Sequence, residues 1–324
     1  MWIPYVNCDI MLLEVVGMEE LAIQTDRLSK TYDGSNYALR DLSIDVRQGE
    51  VFGFLGPNGA GKTTTVKLLN GLLKPNGGSC SVMGLSSTLR SPEVHRICGT
   101  MTESSKMYGQ MTGMENLIFF AETSDIAMPK AKERAEELLK RMDLWDARDK
   151  RLSAYSTGMA QRLSLARTLV GNPRILFLDE PTSGLDPESA KSVNSLIDSL
   201  ARDEGVTVFL CTHQLRYAQD LCERYAIIEK GQLLVSGSIE SIAKGARIFI
   251  KAAVRVPDGD QLEGFERGSG GWWKTDLLRE EDMPRLLKKL VTDGHDIYEA
   301  KILKPTLEDV YFQYVRSGNG EVLQ

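Results

Sequence analysis

The fold is decided by the stretch Gly56-Pro57-Asn58-Gly59-Ala60-Gly61-Lys62-Thr63-Thr64, which matches the phosphate-binding pattern G-x-x-x-x-G-K-[ST] in full. The apolar run Val51–Leu55 before it predicts a buried strand. After it, apolar residues recur at helical spacing, which predicts a helix that stops at residues 74–78, where proline and glycine end it. Strand, loop and helix in this order are the setting in which the pattern binds phosphate.

The residues of this loop offer the groups that a triphosphate needs. Glycines at positions 56, 59 and 61 leave room for main-chain N–H groups to approach phosphate oxygens, and the helix N-terminus adds a favourable dipole. Lys62 would reach the β- and γ-phosphates, and the Thr63 hydroxyl would ligate Mg²⁺. The alternative is an ordinary glycine-rich turn beside a lysine. The flanking strand and helix favour a nucleoside triphosphate site built from the whole stretch 56–64.

Two more apolar runs, at residues 174–179 and 206–211, predict buried parallel strands with a helix between them. The carboxyl ends of such strands lie beside the phosphate loop in doubly wound sheets. Asp179 is therefore predicted to hold Mg²⁺ through water, and Glu180 to polarise the water that attacks the γ-phosphate. His213 follows the second strand and is predicted to contact the γ-phosphate, with a purely structural histidine as the alternative.

The composition is that of an ordinary soluble globular protein of about two domains. The 324 residues are 42% hydrophobic and 26% charged, with a net charge of −6, so no nucleic-acid partner is expected. The five cysteines form no close pair, which favours reduced thiols in a cytosol. No apolar run approaches the roughly 20 residues that span a bilayer. A membrane role would therefore require a partner chain.

The first part of the chain predicts a nucleotide-binding unit with added strands and helices. A β-rich stretch over residues 21–55 includes one alternating strand at residues 39–46. A helical region over about residues 100–171 includes an amphipathic helix at residues 129–142, whose exposed face pairs Glu136 with Lys140. An antiparallel hairpin at residues 226–235 closes the unit.

Beyond about residue 245 the pattern changes to a small α+β appendage. It opens with a strand at residues 247–250, and in its final helix an apolar stripe at Val310, Tyr311 and Tyr314 predicts core packing. The predicted segments are an N-terminal extension (1–17), the nucleotide-binding domain (18–243) and the C-terminal accessory domain (244–324). The extension is apolar but has no basic n-region, so it does not predict a signal peptide.

A third motif, Tyr155-Ser156-Thr157-Gly158-Met159-Ala160-Gln161-Arg162, opens a predicted helix upstream of Asp179. With the phosphate loop, Asp179-Glu180-Pro181-Thr182-Ser183-Gly184-Leu185-Asp186 and His213, it resembles the ATPase subunit of ATP-binding-cassette (ABC) transporters over about residues 21–243. The usual family signature is L-S-G-G-Q, and Y-S-T-G-M is similar to the variant in drug, antibiotic and lipid exporters. The tail Pro305-Thr306-Leu307-Glu308-Asp309-Val310 also resembles the end of such export ATPases.

The resemblance implies an α/β fold with a P-loop NTPase core. It implies a parallel sheet, an antiparallel β subdomain and a helical subdomain, plus a small C-terminal α+β domain. ATP and Mg²⁺ are the implied cofactors. Two protomers would sandwich two ATP molecules head to tail, because the helix N-terminus at the signature is a ready anion site that completes the opposite subunit's pocket.

Further nucleotide contacts are implied residue by residue. Tyr32 would stack on adenine, unless it is an ordinary surface tyrosine, and Asp186 would link the two sites across the dimer. The residues implied to bind nucleotide outside the phosphate loop are Tyr32, Ser156, Gly158, Met159, Gln161 and Asp186.

The chain departs from the family pattern at Glu103. The family usually has a glutamine after the strand that leads into the helical subdomain, where it touches Mg²⁺ and the attacking water. Aligning residues 99–102 with that strand puts Glu103 there, while Gln110 is too far along. A carboxylate is a hard, charged ligand, so Glu103 is expected to join Thr63 and Asp179 at the metal and Glu180 and His213 in catalysis.

These observations predict an ATP-hydrolysing subunit of an exporter, docked on a separate transmembrane permease at the cytoplasmic face of the cell membrane. Its other partner would be a second ATPase protomer, identical or homologous. Docking would use the groove between the helical subdomain and the sheet core near residues 103–117. The alternative is a soluble, non-transport ABC ATPase that acts as an ATP-switched clamp, and a small GTPase or kinase is disfavoured because the signature helix has no role there.

Overall fold

The computed structural model describes residues 20–102, 107–257 and 261–318. Its strands, in chain order, are β1 Leu21–Thr31, β2 Tyr37–Leu42, β3 Asp45–Arg47, β4 Val51–Leu55, β5 Gly77–Val82, β6 Leu85–Ser86, β7 Cys98–Met101, β8 Ile175–Asp179, β9 Thr207–Thr212, β10 Arg224–Glu229, β11 Gln232–Gly237, β12 Ile250–Arg255, β13 Glu266–Arg267, β14 Trp272–Leu277 and β15 Glu299–Leu303. Its helices are α1 Lys62–Leu69, α2 Ser91–Ile97, α3 Gly113–Thr123, α4 Met128–Arg141, α5 Thr157–Leu169, α6 Pro187–Arg202, α7 Leu215–Leu221, α8 Ile239–Gly245, α9 Met283–Thr292 and α10 Leu307–Gly318.

The centre of the molecule is a six-stranded sheet in the order β11-β10-β4-β9-β8-β7. Its strands from β10 to β7 run parallel, and β11 pairs antiparallel with β10. Every residue of β4, β8 and β9 is buried, as expected for parallel strands that are covered on both faces. The register pairs Leu55 with Thr212 and Asp179 with Cys211, so the ends of β4, β9 and β8 meet at one edge.

The two faces of this sheet bury different layers because side chains alternate along a strand. On one face, Phe209 packs against the rings of Phe52, Phe54 and Phe177, with centroids 5.1 to 5.8 Å apart. That face also covers α1 and the antiparallel sheet β2-β1-β5-β6, to which β3 adds by pairing with β1. The other face packs on the helical region α3–α6.

A half-buried arginine connects the antiparallel sheet to the central one. Arg224 on β10 donates to Asp45 Oδ2 at 2.8 Å and to Glu50 Oε1 at 3.1 Å. Glu50 also accepts the Arg47 N–H, and burial raises its pKa above the ordinary value for a glutamate. Removal of the arginine would leave a buried carboxylate short of a partner, which is costly.

The C-terminal sheet β13-β14-β12-β15 is antiparallel and packs α9 on one face around Val254, Leu277 and Leu290. The last helix leaves this small core. Leu307 and Val310 of α10 are fully buried in the large core, and Tyr311 and Tyr314 pack against that core. The prediction that the stripe on this helix is core is therefore confirmed.

Two predicted elements end differently in the structure. The phosphate-loop helix stops at Leu69, because Asn70 caps it and Gly71 turns the chain at φ +70°, leaving Leu72 exposed. The single strand predicted at residues 39–46 is two strands. The Thr25 hydroxyl enters the gap, donating to Leu42 O at 3.0 Å and accepting the Ile44 N–H at 2.9 Å.

Two further expectations were wrong in detail. On α4 the ion pair joins Arg134 to Glu137 at 2.7 Å, while the Lys140 ammonium lies 4.7 Å from the Trp145 ring centre. The strand predicted from residue 247 begins at Ile250. Residues 247 and 248 instead form the turn that follows α8, with Arg247 at φ +56° and the Ile248 N–H bonded to Ala243 O at 2.9 Å.

Within the part of the chain that the structure describes, no helix combines the length and the apolar character that crossing a bilayer demands.

Candidate functional site

The phosphate loop joins β4 to α1 in a conformation that requires glycine. Gly61 has φ +111°, and a Cβ there would lie 2.6 Å from Ala38 O. A Cβ at Gly56 would lie 2.3 Å from Ile228 O. The loop therefore approaches the neighbouring backbone so closely that a side chain at either position would clash with a carbonyl oxygen.

Lys62 begins α1 and folds back over this loop. Its ammonium donates to Gly56 O at 2.7 Å and to Pro57 O at 3.2 Å, and the residue is 7% exposed. The first N–H groups of a helix have no acceptor within the helix, so those at the start of α1 point toward the loop. Buried positive charge and unpaired N–H groups together form an anion site.

Thr63 and Asp179 come together across two elements. The Thr63 hydroxyl donates to Asp179 Oδ2 at 3.1 Å, and Asp179 is 9% exposed. Hydroxyl and carboxylate oxygens are the hard ligands that Mg²⁺ prefers. This pair of oxygens therefore fits a Mg²⁺ site, in which Thr63 would bind the ion and Asp179 would hold it directly or through water.

Glu180 follows β8 directly and has an unusual backbone conformation, with φ +50°. It is 5% exposed, and its carboxylate is held from the end of β9. The Thr212 hydroxyl donates to Oε2 at 2.8 Å, and the His213 N–H donates to Oε1 at 2.9 Å. The His213 ring also contacts Oε1 through Nδ1 at 2.6 Å.

A cavity of about 280 Å³, here called the phosphate cavity, lies between the phosphate loop and the two carboxylates. Its lining residues are Ala38, Asn58, Gly59, Gly61, Lys62, Thr63, Thr64, Asp179 and Glu180. One chain thus brings together a phosphate loop, the buried Lys62 ammonium and two carboxylates. The Asp179 carboxylate is bonded to the Thr63 hydroxyl.

The signature segment lies elsewhere. Ser156 caps α5 by accepting the Met159 N–H at 3.2 Å, and Ser156 and Thr157 are exposed. Gly158 lies against α6, where a Cβ would be 3.0 Å from Ser189 Oγ. Among the described residues that line the phosphate cavity, none comes from this segment.

Comparison with known proteins agrees with this geometry. The family model described as ABC transporter matches residues 39–183. The uncharacterized ABC transporter ATP-binding protein YdbJ of Bacillus subtilis (strain 168) is 32% identical over 302 residues, covering 91% of this chain and 96% of that protein. The bacitracin transport ATP-binding protein BcrA of Bacillus licheniformis is 33% identical over 304 residues, covering 91% and 98%.

The chain belongs to the ABC transporter ATP-binding proteins. A further relative, the daunorubicin/doxorubicin resistance ATP-binding protein DrrA of Streptomyces peucetius, is 41% identical over 217 residues, 67% of this chain and 65% of that protein. Among solved structures, the dimeric structure of MJ0796, a bacterial ABC transporter cassette, has a TM-score of 0.61 at 26% identity. It covers 67% of this chain and 98% of that one.

Two residues that the ABC resemblance named, Tyr32 and Asp186, do not line the phosphate cavity. The Tyr32 ring is 65% exposed, and its hydroxyl lies 3.3 Å from Thr64 Oγ1, so an open aromatic face stands beside the phosphate loop. Asp186 caps α6 by accepting the Ser189 N–H at 2.9 Å and is exposed.

Gln161 of the ABC signature helix points into its own chain. Its Nε2 donates to Pro181 O at 2.6 Å, one residue after Glu180. Glu103 lies outside the described residues. Thr212 was missed at the sequence level, since a threonine at a strand end carries no motif, and only the register that places it beside Glu180 reveals it.

Proposed function

We propose that this chain is the ATP-hydrolysing subunit of an export-type ABC transporter. It works as a dimer, with an identical or homologous partner, and docks on a separate permease at the cytoplasmic face of the membrane. The observation that carries the proposal is the convergence of Lys62, Thr63, Asp179 and Glu180 on one cavity. Each of these residues has a distinct task in phosphoryl transfer.

Binding of the triphosphate falls to the loop and to Lys62. The ammonium now donates to two loop carbonyls, Gly56 O and Pro57 O, and phosphate oxygens would compete for it as stronger, charged acceptors. The first-turn N–H groups of α1 would hold phosphate oxygens beside it. Tyr32 would cover the adenine with its exposed ring.

Thr63 and Asp179 would hold Mg²⁺, with Glu103 as a further ligand. When bound, the ion neutralises charge on the phosphates. The chain's own task at this point is to keep the two oxygens in place, and the burial of Asp179 at the end of β8 does so.

Glu180 would take the proton from the attacking water. Its carboxylate lines the cavity and is almost inaccessible from outside, so bulk water does not compete for it. His213 is bonded to Glu180 through Nδ1, and Nε2 would be the ring atom that contacts the γ-phosphate. The two side chains would thus act as one unit.

The second half of the site would come from another protomer. Ser156 is exposed at the N-terminus of α5, while Gly158 and Met159 are half-buried. This helix N-terminus favours an anionic ligand, yet the three residues do not line the cavity of their own chain. Asp186 lies on the same exposed surface at the start of α6. The dimeric state of the MJ0796 cassette supports the same arrangement here.

Two observations support a transport role. The chain resembles BcrA and DrrA, whose names specify bacitracin transport and drug resistance. A groove of about 810 Å³ lies between the β7 edge and the helical region, with Phe120 and Arg167 in its wall. The Arg167 guanidinium lies 5.1 Å from the Phe120 ring centre and donates to Thr100 O at 3.3 Å. This groove would seat a permease segment, although none of its lining residues among those described falls within the predicted docking stretch 103–117.

The test is ATP turnover by the purified chain, followed by capture of its membrane partner. We expect Mg²⁺-dependent phosphate release that Glu180→Gln reduces by about a hundredfold or more while ATP binding persists. Glu133→Gln, an exposed acid on α4, is the matched control. A multi-span protein encoded beside this gene should co-purify with the tagged chain from membranes. Full turnover by Glu180→Gln would contradict the proposal.

A further inference from the structure

The carboxylate of Glu180 is constrained at both oxygens by groups at the end of the neighbouring strand. Thr212 is bonded to Oε2 and His213 to Oε1. The backbone of Glu180 is fixed separately, because its N–H donates to Cys211 O at 2.9 Å and its carbonyl accepts the Ser183 N–H at 3.1 Å. What remains free is the rotation of the side chain, and the bonds to its oxygens set that rotation.

The direction of the Thr212 bond follows from its second partner. The Gln214 N–H donates to Thr212 Oγ1 at 3.0 Å, so the oxygen already accepts one hydrogen. A hydroxyl has a single hydrogen of its own, and Glu180 Oε2 lies 2.8 Å away. Thr212 is fully buried, so water does not compete for that hydrogen. The hydroxyl therefore donates to the carboxylate.

The backbone conformation of Glu180 also shows that its position is enforced by its surroundings. A residue with a side chain rarely adopts a positive φ, and such conformations persist only where surrounding contacts enforce them. Here the contacts are the β8–β9 register, which pairs Asp179 with Cys211 and brings Glu180 beside Thr212. The strained turn and the buried hydroxyl together determine where the carboxylate lies.

We propose that Thr212 is a positioning residue for the reaction, because its hydroxyl holds the Glu180 carboxylate in the orientation that accepts the proton of the attacking water. The inference rests on the proposed function, which makes Glu180 the proton acceptor. Thr212 does not line the phosphate cavity, while Glu180 does.

A purely structural role is the competing explanation, since the Thr212 hydroxyl also accepts the Gln214 N–H at the start of α7. That role would lower stability without changing turnover by the folded protein. Thr207 provides a matched control on the same strand. It is also fully buried, and its hydroxyl accepts the Gly49 N–H at 3.0 Å, at the opposite end of β9 from the site.

The experiment compares Thr212→Val, Thr212→Ser and Thr207→Val in the full chain, with ATP affinity and thermal unfolding measured for each. We expect Thr212→Val to lower kcat at least about tenfold with little change in ATP affinity, because a hydrogen bond to a charged group is lost. Thr212→Ser should recover kcat to within about twofold, and Thr207→Val should keep the wild-type kcat.

Two readouts show whether the effect passes through Glu180. Adding Thr212→Val to Glu180→Gln should cause no further loss of turnover, because residues that act as a unit are not additive. A crystal structure of nucleotide-free Thr212→Val should show the Glu180 carboxylate turned away from residue 212. If that variant is unstable, Thr212→Ala makes the same comparison.

The outcomes separate this inference from the function on which it rests. If Glu180→Gln is inactive while Thr212→Val turns over like Thr207→Val, only the positioning role is wrong. An equal further loss on adding Thr212→Val to Glu180→Gln would also overturn it. If Glu180→Gln turns over like the wild type, the proposed function fails, and the role of Thr212 fails with it.

Discussion

Two regions of this chain differ in whether a single chain supplies all of their binding groups. The catalytic edge is the end of the central sheet around Lys62, Asp179 and Glu180, and the signature segment is residues 155–162. At the catalytic edge, Lys62, Asp179 and Glu180 are buried and bonded within the chain. In the signature segment, Ser156 is exposed and its hydroxyl only caps its own helix. Under the proposed function, this helix N-terminus is half of a site, and a second chain would supply the phosphate.

Thiol reactivity should reveal this difference most clearly. Cys211 adjoins Thr212 and is fully buried, and burial together with the Asp179 charge raises its pKa well above the ordinary value. In a Cys8→Ser background, Ser156→Cys should be alkylated at pH 8 about a thousandfold faster than Cys211. In the Glu180→Gln background, ATP should slow alkylation at position 156. Equal rates of alkylation at Cys211 and at position 156 would contradict the difference in exposure between the two regions.

Loss of Lys62 should weaken ATP binding by a single chain, without any need for a dimer. Lys62→Ala removes a buried ammonium, so we expect ATP affinity to fall by about a hundredfold, as for a lost charge-assisted contact to phosphate. Binding of a fluorescent ATP analogue measures it. Lys67→Ala, on the exposed side of the same helix, is the control and should bind normally.

A block in the signature segment should affect only the dimer. Ser156→Arg places a long side chain on the exposed helix N-terminus, so we expect turnover to fall about thirtyfold while a single chain still binds ATP. Ser153→Arg, on an exposed residue shortly before it, should leave turnover intact. Weakened ATP binding by the Ser156→Arg monomer would show that the two regions are not separate.

The smallest effect should come from the contact that joins the two regions. Gln161 of the signature helix donates to Pro181 O, one residue after Glu180. Gln161→Met keeps the length of the side chain and loses the donor, so we expect kcat to fall about fivefold, by the worth of one neutral hydrogen bond. Steady-state phosphate release measures this, with Gln232→Met on the exposed β11 as the control.

Local patterns were enough to predict the phosphate loop, the buried strands and the signature helix. Each of them depends on residues close together in the chain, such as Gly56, Lys62 and Asp179. The Glu180–Thr212 bond was not predicted, because it depends on the register of two strands and on a side-chain rotation. The break between β2 and β3 was missed for a similar reason, since it depends on the hydroxyl of distant Thr25.

The central claim is that each ATP site combines Lys62 of one protomer with Ser156 of its partner, and complementation tests it directly. Lys62→Ala and Ser156→Arg are each expected to be nearly inactive alone. When they are mixed and allowed to exchange subunits, half of the dimers should be mixed, and each of these should have one intact site. We predict about a quarter of the wild-type turnover, on the assumption of free assortment and independent sites. A mixture no more active than the two variants measured separately would contradict the account.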